Sequence, residues 1–211
     1  LSITSSRTPK SFKYKLKGHV LERTTSAKYL GVTITSDLSW KTHIDKTTKK
    51  ANSVLGFLRR NLKTPNPETK AMAYKTLVRP HLEYCCSTWN AYRKEDVKTL
   101  EMVQRRAARY ATNRYHNTSS VTSMLDGLGW ETLESRRQKN QLTLFYKVVN
   151  NLVDIPASRY LTPSNSRTRT NHRKKFQQFS AKCDYYKYSF FPRTVPTWNS
   201  LPAQIAESPD L

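Results

Sequence analysis

Asp37-Leu38-Ser39-Trp40-Lys41-Thr42-His43-Ile44-Asp45-Lys46-Thr47-Thr48-Lys49-Lys50-Ala51-Asn52-Ser53-Val54-Leu55-Gly56-Phe57-Leu58-Arg59-Arg60-Asn61-Leu62 decides the fold class of this chain. Trp40, Ile44, Thr47, Ala51, Val54, Leu55, Leu58 and Leu62 recur at the 3.6-residue period of an amphipathic helix. Lys41, Lys46, Lys49, Lys50, Arg59 and Arg60 fall mostly off that stripe, so the polar face is cationic. Asp37 or Ser39 is expected to cap the helix.

Downstream, Thr64-Pro65-Asn66-Pro67 breaks the helix, with Asn66 as the next cap and Pro67 in the first turn. The second helix is expected to carry Met72, Ala73, Leu77 and Val78 inward and to kink or end at Pro80. An apolar run through Leu82, Tyr84, Cys85, Cys86 and Trp89 continues the core. A third helix starts near Lys94, with Glu95 and Asp96 where its dipole favours acids. Its inner face is Val97, Leu100, Val103 or Gln104, Ala107 and Ala111, and Arg105, Arg106, Arg109 and Arg114 gather toward its end. Val121 to Leu125 forms a short piece ended by Asp126-Gly127. The fifth helix runs from about Glu131 to Leu152, with Leu133, Arg137, Gln141, Leu144, Phe145, Val148 and Leu152 on one side. Short connections between these helices imply a bundle.

Upstream of Asp37 the period is that of β structure. Phe12 to Lys17 and Val20 to Thr25 alternate around Gly18-His19 as a hairpin, and Tyr29 to Thr35 reads as one further strand. After Pro156 the chain turns basic. Ser164 to Thr170 reads as a mobile linker, followed by Phe176, Phe179, Tyr185, Tyr186, Tyr188, Phe190 and Phe191. Those aromatics are expected to pack a small core, with base stacking as the alternative. The expected fold class is mainly α: a small N-terminal β-hairpin or strand element at 1–36, a helical bundle at 37–153, and a short irregular or β basic region at 154–211.

Charge limits the partners. In 211 residues, 37 Lys and Arg face 15 Asp and Glu, a formal net charge of +22. Such a surface repels itself unless a polyanion neutralises it, and a phosphate backbone gains affinity from the counterions its neutralisation releases. No run approaches the ~20 apolar residues of a spanning helix, so no membrane is expected as a partner. Cys85, Cys86 and Cys183 give neither a disulfide framework nor a zinc spacing. That usage suits an intracellular setting. His19, His43, His81, His116 and His172 stand singly and read as ordinary surface or core residues.

Chemistry is poorly provided for. Nucleotidyl transfer needs paired carboxylates to hold two metal ions, and the only adjacent acids, Glu95-Asp96, read as a helix start. No Gly-rich phosphate loop or hydrolase motif occurs. Cys85 with His81 at a spacing of four reads as packing. No catalytic residue and no metal ligand is therefore assigned. Arg59-Arg60 and Arg105-Arg106 with Arg109 bring guanidinium groups together in the way sequence-independent backbone contacts require.

Several blocks resemble, in order, the C-terminal region of reverse transcriptases from LINE-type (non-LTR) retrotransposons, jockey-like elements in particular. They are Lys28-Tyr29-Leu30-Gly31-Val32, then Leu38-Ser39-Trp40-Lys41 with His43-Ile44, and Tyr74 through Arg79-Pro80-His81-Leu82-Glu83-Tyr84-Cys85. Leu100-Glu101 with Val103-Gln104-Arg105-Arg106-Ala107 and Arg109 follows, then Leu128-Gly129-Trp130 with Leu133 and Arg136-Arg137. Ser189-Phe190-Phe191-Pro192-Arg193-Thr194 with Trp198-Asn199 and Leu201-Pro202 closes the set. The resemblance implies that 1–36 is a remnant of the palm with a primer-grip-like strand and that 37–153 is the thumb. It implies RNA template and DNA primer or target as partners, together with the palm, fingers and endonuclease that would lie upstream, and the nucleus as location. The family's catalytic Asp residues would also lie upstream, so RNA-directed DNA synthesis is not expected of this chain alone, and magnesium is expected only in the missing palm.

A chain that begins at Leu1 rather than Met is read as a fragment or a truncated gene model. The residues expected to meet nucleic acid are Lys28, Tyr29, Gly31, Lys49, Lys50, Arg59, Arg60, Arg105, Arg106 and Arg109. The alternatives are a domesticated, non-enzymatic RNA- or DNA-binding module, or a helical scaffold for an acidic protein.

Overall fold

The computed structural model describes residues 1–3, 12–116, 118–164 and 172–209. The architecture is mainly helical, with two small antiparallel hairpins at the N-terminal side. β1 (Lys15–Leu16) pairs with β2 (His19–Val20), and β3 (Ser26–Tyr29) pairs with β4 (Val32–Thr35). Both reverse through two residues with positive φ, Lys17 and Gly18 in the first and Leu30 and Gly31 in the second. Positive φ at both positions is the backbone of a tight hairpin turn that matches strand twist. The first turn is therefore Lys17-Gly18 and not Gly18-His19. The stretch from Tyr29 to Thr35, expected as one strand, instead folds back on itself.

α1 (Lys41–Asn61) buries His43, Ile44, Thr48, Ala51, Leu55 and Leu58, the face its periodicity predicts within one position. Its N-cap is Trp40, without a side-chain cap bond. Asp37, expected as a cap, instead accepts from the Thr35 hydroxyl at 2.5 Å and the Ser39 amide at 3.0 Å, which turns the chain from β4 into the helix. These two bonds hold the Asp37 carboxyl below its ordinary value.

α2 (Pro67–Ala73) starts as expected, with Asn66 Oδ1 accepting from the amides of Glu68 and Thr69. Its inner face follows the expectation at Ala73 and Val78 and departs from it at Met72 and Leu77. Met72 is 61% and Leu77 51% exposed, while Ala71, Tyr74, Val78 and Leu82 point inward. A π-helical segment, Tyr74–Val78, precedes α3 (Arg79–Glu83). Pro80 lacks an amide and would break a regular α ladder; the one-residue widening lets the chain continue helical through it. Tyr84 and Cys85 are exposed and Cys85 sits in the left-handed region, so only Leu82, Cys86 and Trp89 of that apolar run enter the core.

α4 (Cys86–Trp89), α5 (Lys94–Thr112), α6 (Val121–Gly127) and α7 (Leu133–Val149) complete the bundle. Leu152, expected on the inner face of the last, lies past its end and is exposed. Beyond it come α8 (Ala157–Tyr160), an isolated antiparallel bridge from Pro163 to Phe176, α9 (Asp184–Lys187), α10 (Phe190–Asn199) and α11 (Ala203–Ala206). Apart from Ser164, the linker expected from Ser164 to Thr170 lies outside the described residues.

Two apolar clusters hold these elements. The first joins Val32 of β4 to α1 through α6 and ends at Leu133, the first residue of α7. The second joins Phe145 and Tyr146 of α7 to Leu161, Val195, Trp198 and Ala206. A polar seam lies between them on the same helix. Arg137 donates to Asn90 Oδ1 at 3.3 Å, Asn90 donates to Gln141 Oε1 at 2.8 Å, and Gln141 donates to Thr194 at 2.5 Å.

Candidate nucleic-acid interface

The hairpin β3–β4 leans on the bundle through a few bonds that fix a cleft. Tyr84 at the end of α3 donates its hydroxyl to Leu30 O at 3.0 Å, across the β3–β4 turn. Its ring lies so close that a Cβ on Gly31 would meet Tyr84 Cε1 at 3.2 Å. Gly31 thus has an intramolecular reason for lacking a side chain, in addition to its positive φ. On the other side of the hairpin, the Thr33 amide donates to His43 Nδ1 at 3.2 Å. A ring nitrogen that accepts cannot carry a proton, so this imidazole is neutral with its hydrogen on Nε2, toward Thr47. Burial, with Lys46 adding repulsion, holds its pKa below the ordinary value.

The space enclosed is a cleft of about 600 Å³ lined by Lys28 and Gly31 from the hairpin, His43, Lys46, Thr47 and Lys50 from α1, and Pro80, His81 and Tyr84 from α3. Thr33 completes it. Lysines Lys28, Lys46 and Lys50 line it and no carboxylate does. His81 is also pushed toward neutrality, by burial and by Lys50. The cleft therefore offers three ammonium groups and neutral imidazole and hydroxyl donors, a set suited to phosphodiester oxygens. Along α1 the cationic face continues outside it, since Lys46, Lys49, Lys50 and Arg60 are all exposed and recur near one side of the helix.

Comparison of the chain with protein-family models, with curated proteins and with solved structures returns no match. What can be read of the site therefore comes from its own residues.

Of the residues expected to bind nucleic acid, Lys28, Gly31 and Lys50 come together in the cleft. Tyr29, 67% exposed, and Lys49 flank it without lining it. Arg59 and Arg60 sit at the far end of α1, Arg59 with its guanidinium 5.7 Å from the Tyr115 ring centre. The α5 arginines diverge. Arg106 reaches back to α1, donating to Asn52 Oδ1 at 3.2 Å. Arg105 lines a separate depression that also holds Glu101 and Glu134, and Arg109 is half-buried. Seven lining residues, Lys46 and His81 among them, were left out of that expectation. The signal for Lys46 was present: it stands three residues after His43 and four before Lys50.

Many of the residues that carry the resemblance hold the fold together. Gln104 accepts from the Tyr74 hydroxyl at 2.9 Å and donates to Glu131 O at 2.8 Å. Arg136 pairs with Glu83, which Arg79 approaches at 3.8 Å. Arg193 donates to the carbonyls of Asn90 and Ala91, and Asn199 exchanges two bonds with the Phe176 backbone. Among the described residues no group of three or more His, Cys, Asp or Glu could hold a metal ion, and no helix is long and apolar enough to cross a membrane.

Proposed function

We propose that this chain binds nucleic acid through its phosphate backbone, at the cleft between β3–β4, α1 and α3. The observation that carries the reading is the lining itself: Lys28, Lys46 and Lys50 converge with no carboxylate among them, on a chain of net charge +22. In a half-enclosed space, ammonium groups that repel one another are stabilised by an anion that touches all of them. The same reading takes the chain as the end of the palm, the thumb and the tail of a non-LTR retrotransposon RNA-directed DNA polymerase, without its catalytic carboxylates. It is supported by the meeting in space of separate blocks of the resemblance, Gly31 with Tyr84, Tyr74 with Gln104, and Glu83 with Arg136.

Fluorescence anisotropy with a primed RNA–DNA duplex tests it. Each phosphate neutralised contributes about −0.7 to −0.9 to the slope of log affinity against log salt. Three to five contacts from Lys28, Lys46, Lys50, Lys49 and Arg60 give a slope of about −2 to −4.5. A slope near zero, or no binding, would sink the nucleic-acid reading. Tighter binding to an acidic protein than to any duplex at equal salt would favour the helical scaffold instead.

A further inference from the structure

At the opposite end of α1 a second basic pocket of about 490 Å³ is lined by Arg59, Leu62, Lys63, Thr64, Pro65, Lys70, Tyr110, Asn113 and Tyr115. Its floor contains an unusual group. Lys70 is only 4% exposed, and lysine is almost never so buried unless it is paired with an opposite charge. Its ammonium group makes one hydrogen bond, to Asn113 Oδ1 at 2.6 Å, and stands 5.1 Å from the Tyr110 ring centre. An ammonium group has three donors. Among the described residues no carboxylate pairs with Lys70, Arg59 or Lys63. A buried cation beside one neutral amide, with two more cations at the rim, is a site for an anion.

The ends of α1 and α5 both contribute to this pocket, through Leu62 and Asn113. Their exposed carbonyls each represent about half a negative charge. Tyr110 already donates its hydroxyl toward Leu58 O and Leu62 O, at 3.2 and 2.9 Å. Three full cations against two partial negative ends leave a surplus of about two positive charges. Compensation of helix ends alone therefore does not account for Arg59, Lys63 and Lys70 together.

Tyr115 distinguishes this pocket from the first cleft. The Tyr84 ring of that cleft is pressed against Gly31. Tyr115 is 51% exposed and has Arg59 over its ring. Resting on the backbone-binding reading above, we propose that the α1 end pocket is a second site, selective for an unpaired nucleotide. Its phosphate sits on Arg59, Lys63 and Lys70, and its base stacks on Tyr115. Stacking on an aromatic ring needs a base face that a duplex does not offer. The first cleft takes the backbone of a duplex. Thirteen residues of α1 separate Lys46 from Arg59, about 20 Å along the axis, so the two sites meet different parts of a strand.

The test uses the full chain with two labelled probes, an eight-nucleotide single-stranded oligothymidylate and a blunt RNA–DNA duplex. We expect Tyr115→Ala to weaken single-strand binding by about tenfold, Tyr115→Phe to restore it, and duplex binding to change less than about twofold. Arg59→Glu/Lys63→Glu is expected to lower the single-strand salt slope by about 1.4. The second site is overturned if Tyr115→Ala leaves single-strand affinity unchanged, or weakens both probes equally. It also fails, with the first cleft intact, if the unaltered chain binds duplex and not single strand. Binding of neither probe would overturn both sites.

Discussion

The two apolar clusters are built on one helix and use their basic residues in opposite ways. In the first, polar bonds such as Tyr74–Gln104–Glu131 lie inside, and Lys46, Lys49, Lys50 and Arg60 are left to solvent. In the second, Phe145 sits among Phe176, Phe190, Phe191 and Trp198, and cations are folded into the structure. Lys174 donates to Asn150 Oδ1 at 2.6 Å and lies 6.0 Å from the Tyr146 ring, while its carbonyl accepts from Trp198 Nε1. Arg193 donates to two carbonyls of the α4–α5 connection, and burial lowers its pKa from the usual guanidinium value. Net charge therefore counts residues with two different jobs. Only cations with donors left over from internal bonds can make an interface.

The largest effect should come from cutting the second cluster. Trp198 is 2% exposed, and Trp198→Ala should cost about 3–5 kcal/mol. Hydrogen exchange should show amides of 172–209 losing protection while α1 and α5 keep theirs. Equal loss in α1 and α5 would mean that the two clusters unfold as one unit.

Gln104→Leu attacks the first cluster at its buried polar centre. It leaves the Tyr74 hydroxyl without its acceptor and Glu131 O without its donor, at a cost of about 2–3 kcal/mol. Urea midpoints would show it, and no change would remove that pair of bonds from the account of the fold. Gly31→Ala is smaller. A Cβ at φ +84 meeting Tyr84 at 3.2 Å should cost about 1–2 kcal/mol and weaken duplex binding by displacing Lys28. Unchanged stability and affinity would show that the hairpin's position does not matter to the cleft.

Through the buried histidines, acid should act on both regions in the same direction, opposed in the first by Asp96 and Glu101, whose carboxyls burial pushes up. Burial holds the pKa of His43 and His81 in the first, and of His172 in the second, below the ordinary 6.5. His172 donates Nε2–H to Trp198 O at 3.2 Å, leaving Nδ1 buried and without a partner among the described residues. At these histidines the folded chain thus binds fewer protons than the unfolded one, so their contribution to stability rises with pH. The contribution is full above about 6.5 and is lost progressively as pH falls below it. Melting at pH 7.5 and 5.0 checks this, and His172→Phe should flatten part of the difference. A pH difference that His172→Phe leaves unchanged would contradict the neutral assignment.

How much of this was legible in sequence follows from how local each signal is. The caps at Asn66-Pro67 and the acids opening α5 act within one turn, and their helices begin where expected. The inner face of α2 was legible in part: Ala71, Tyr74, Val78 and Leu82 keep helical spacings of three and four, and Val78 is inward as expected, but the larger apolar side chains Met72 and Leu77 stand beside that stripe and compete with it in the sequence. The Leu30-Gly31 turn was hidden by strand-forming residues on both sides. α10 was hidden by Pro192 and Pro196 inside a ten-residue helix. For the site, a list of cations could not say which ones have partners. Arg106 finds Asn52, 54 residues away in sequence, and Lys70 enters the core where a periodic reading leaves it unremarked.

The most direct test sets equal charge reversals in the two regions against each other. Lys46→Glu/Lys50→Glu lies in the cleft, and Arg159→Glu/Lys182→Glu reverses two exposed cations of the tail. Both variants change net charge by the same amount. Measured on a primed RNA–DNA duplex at about 0.1 M salt, the cleft variant should lose at least about a hundredfold in affinity and about two in salt slope. The tail variant should lose less than about fivefold, the long-range share of altered net charge. Equal losses in the two variants would contradict the cleft and leave only a diffuse attraction of a basic protein for a polyanion.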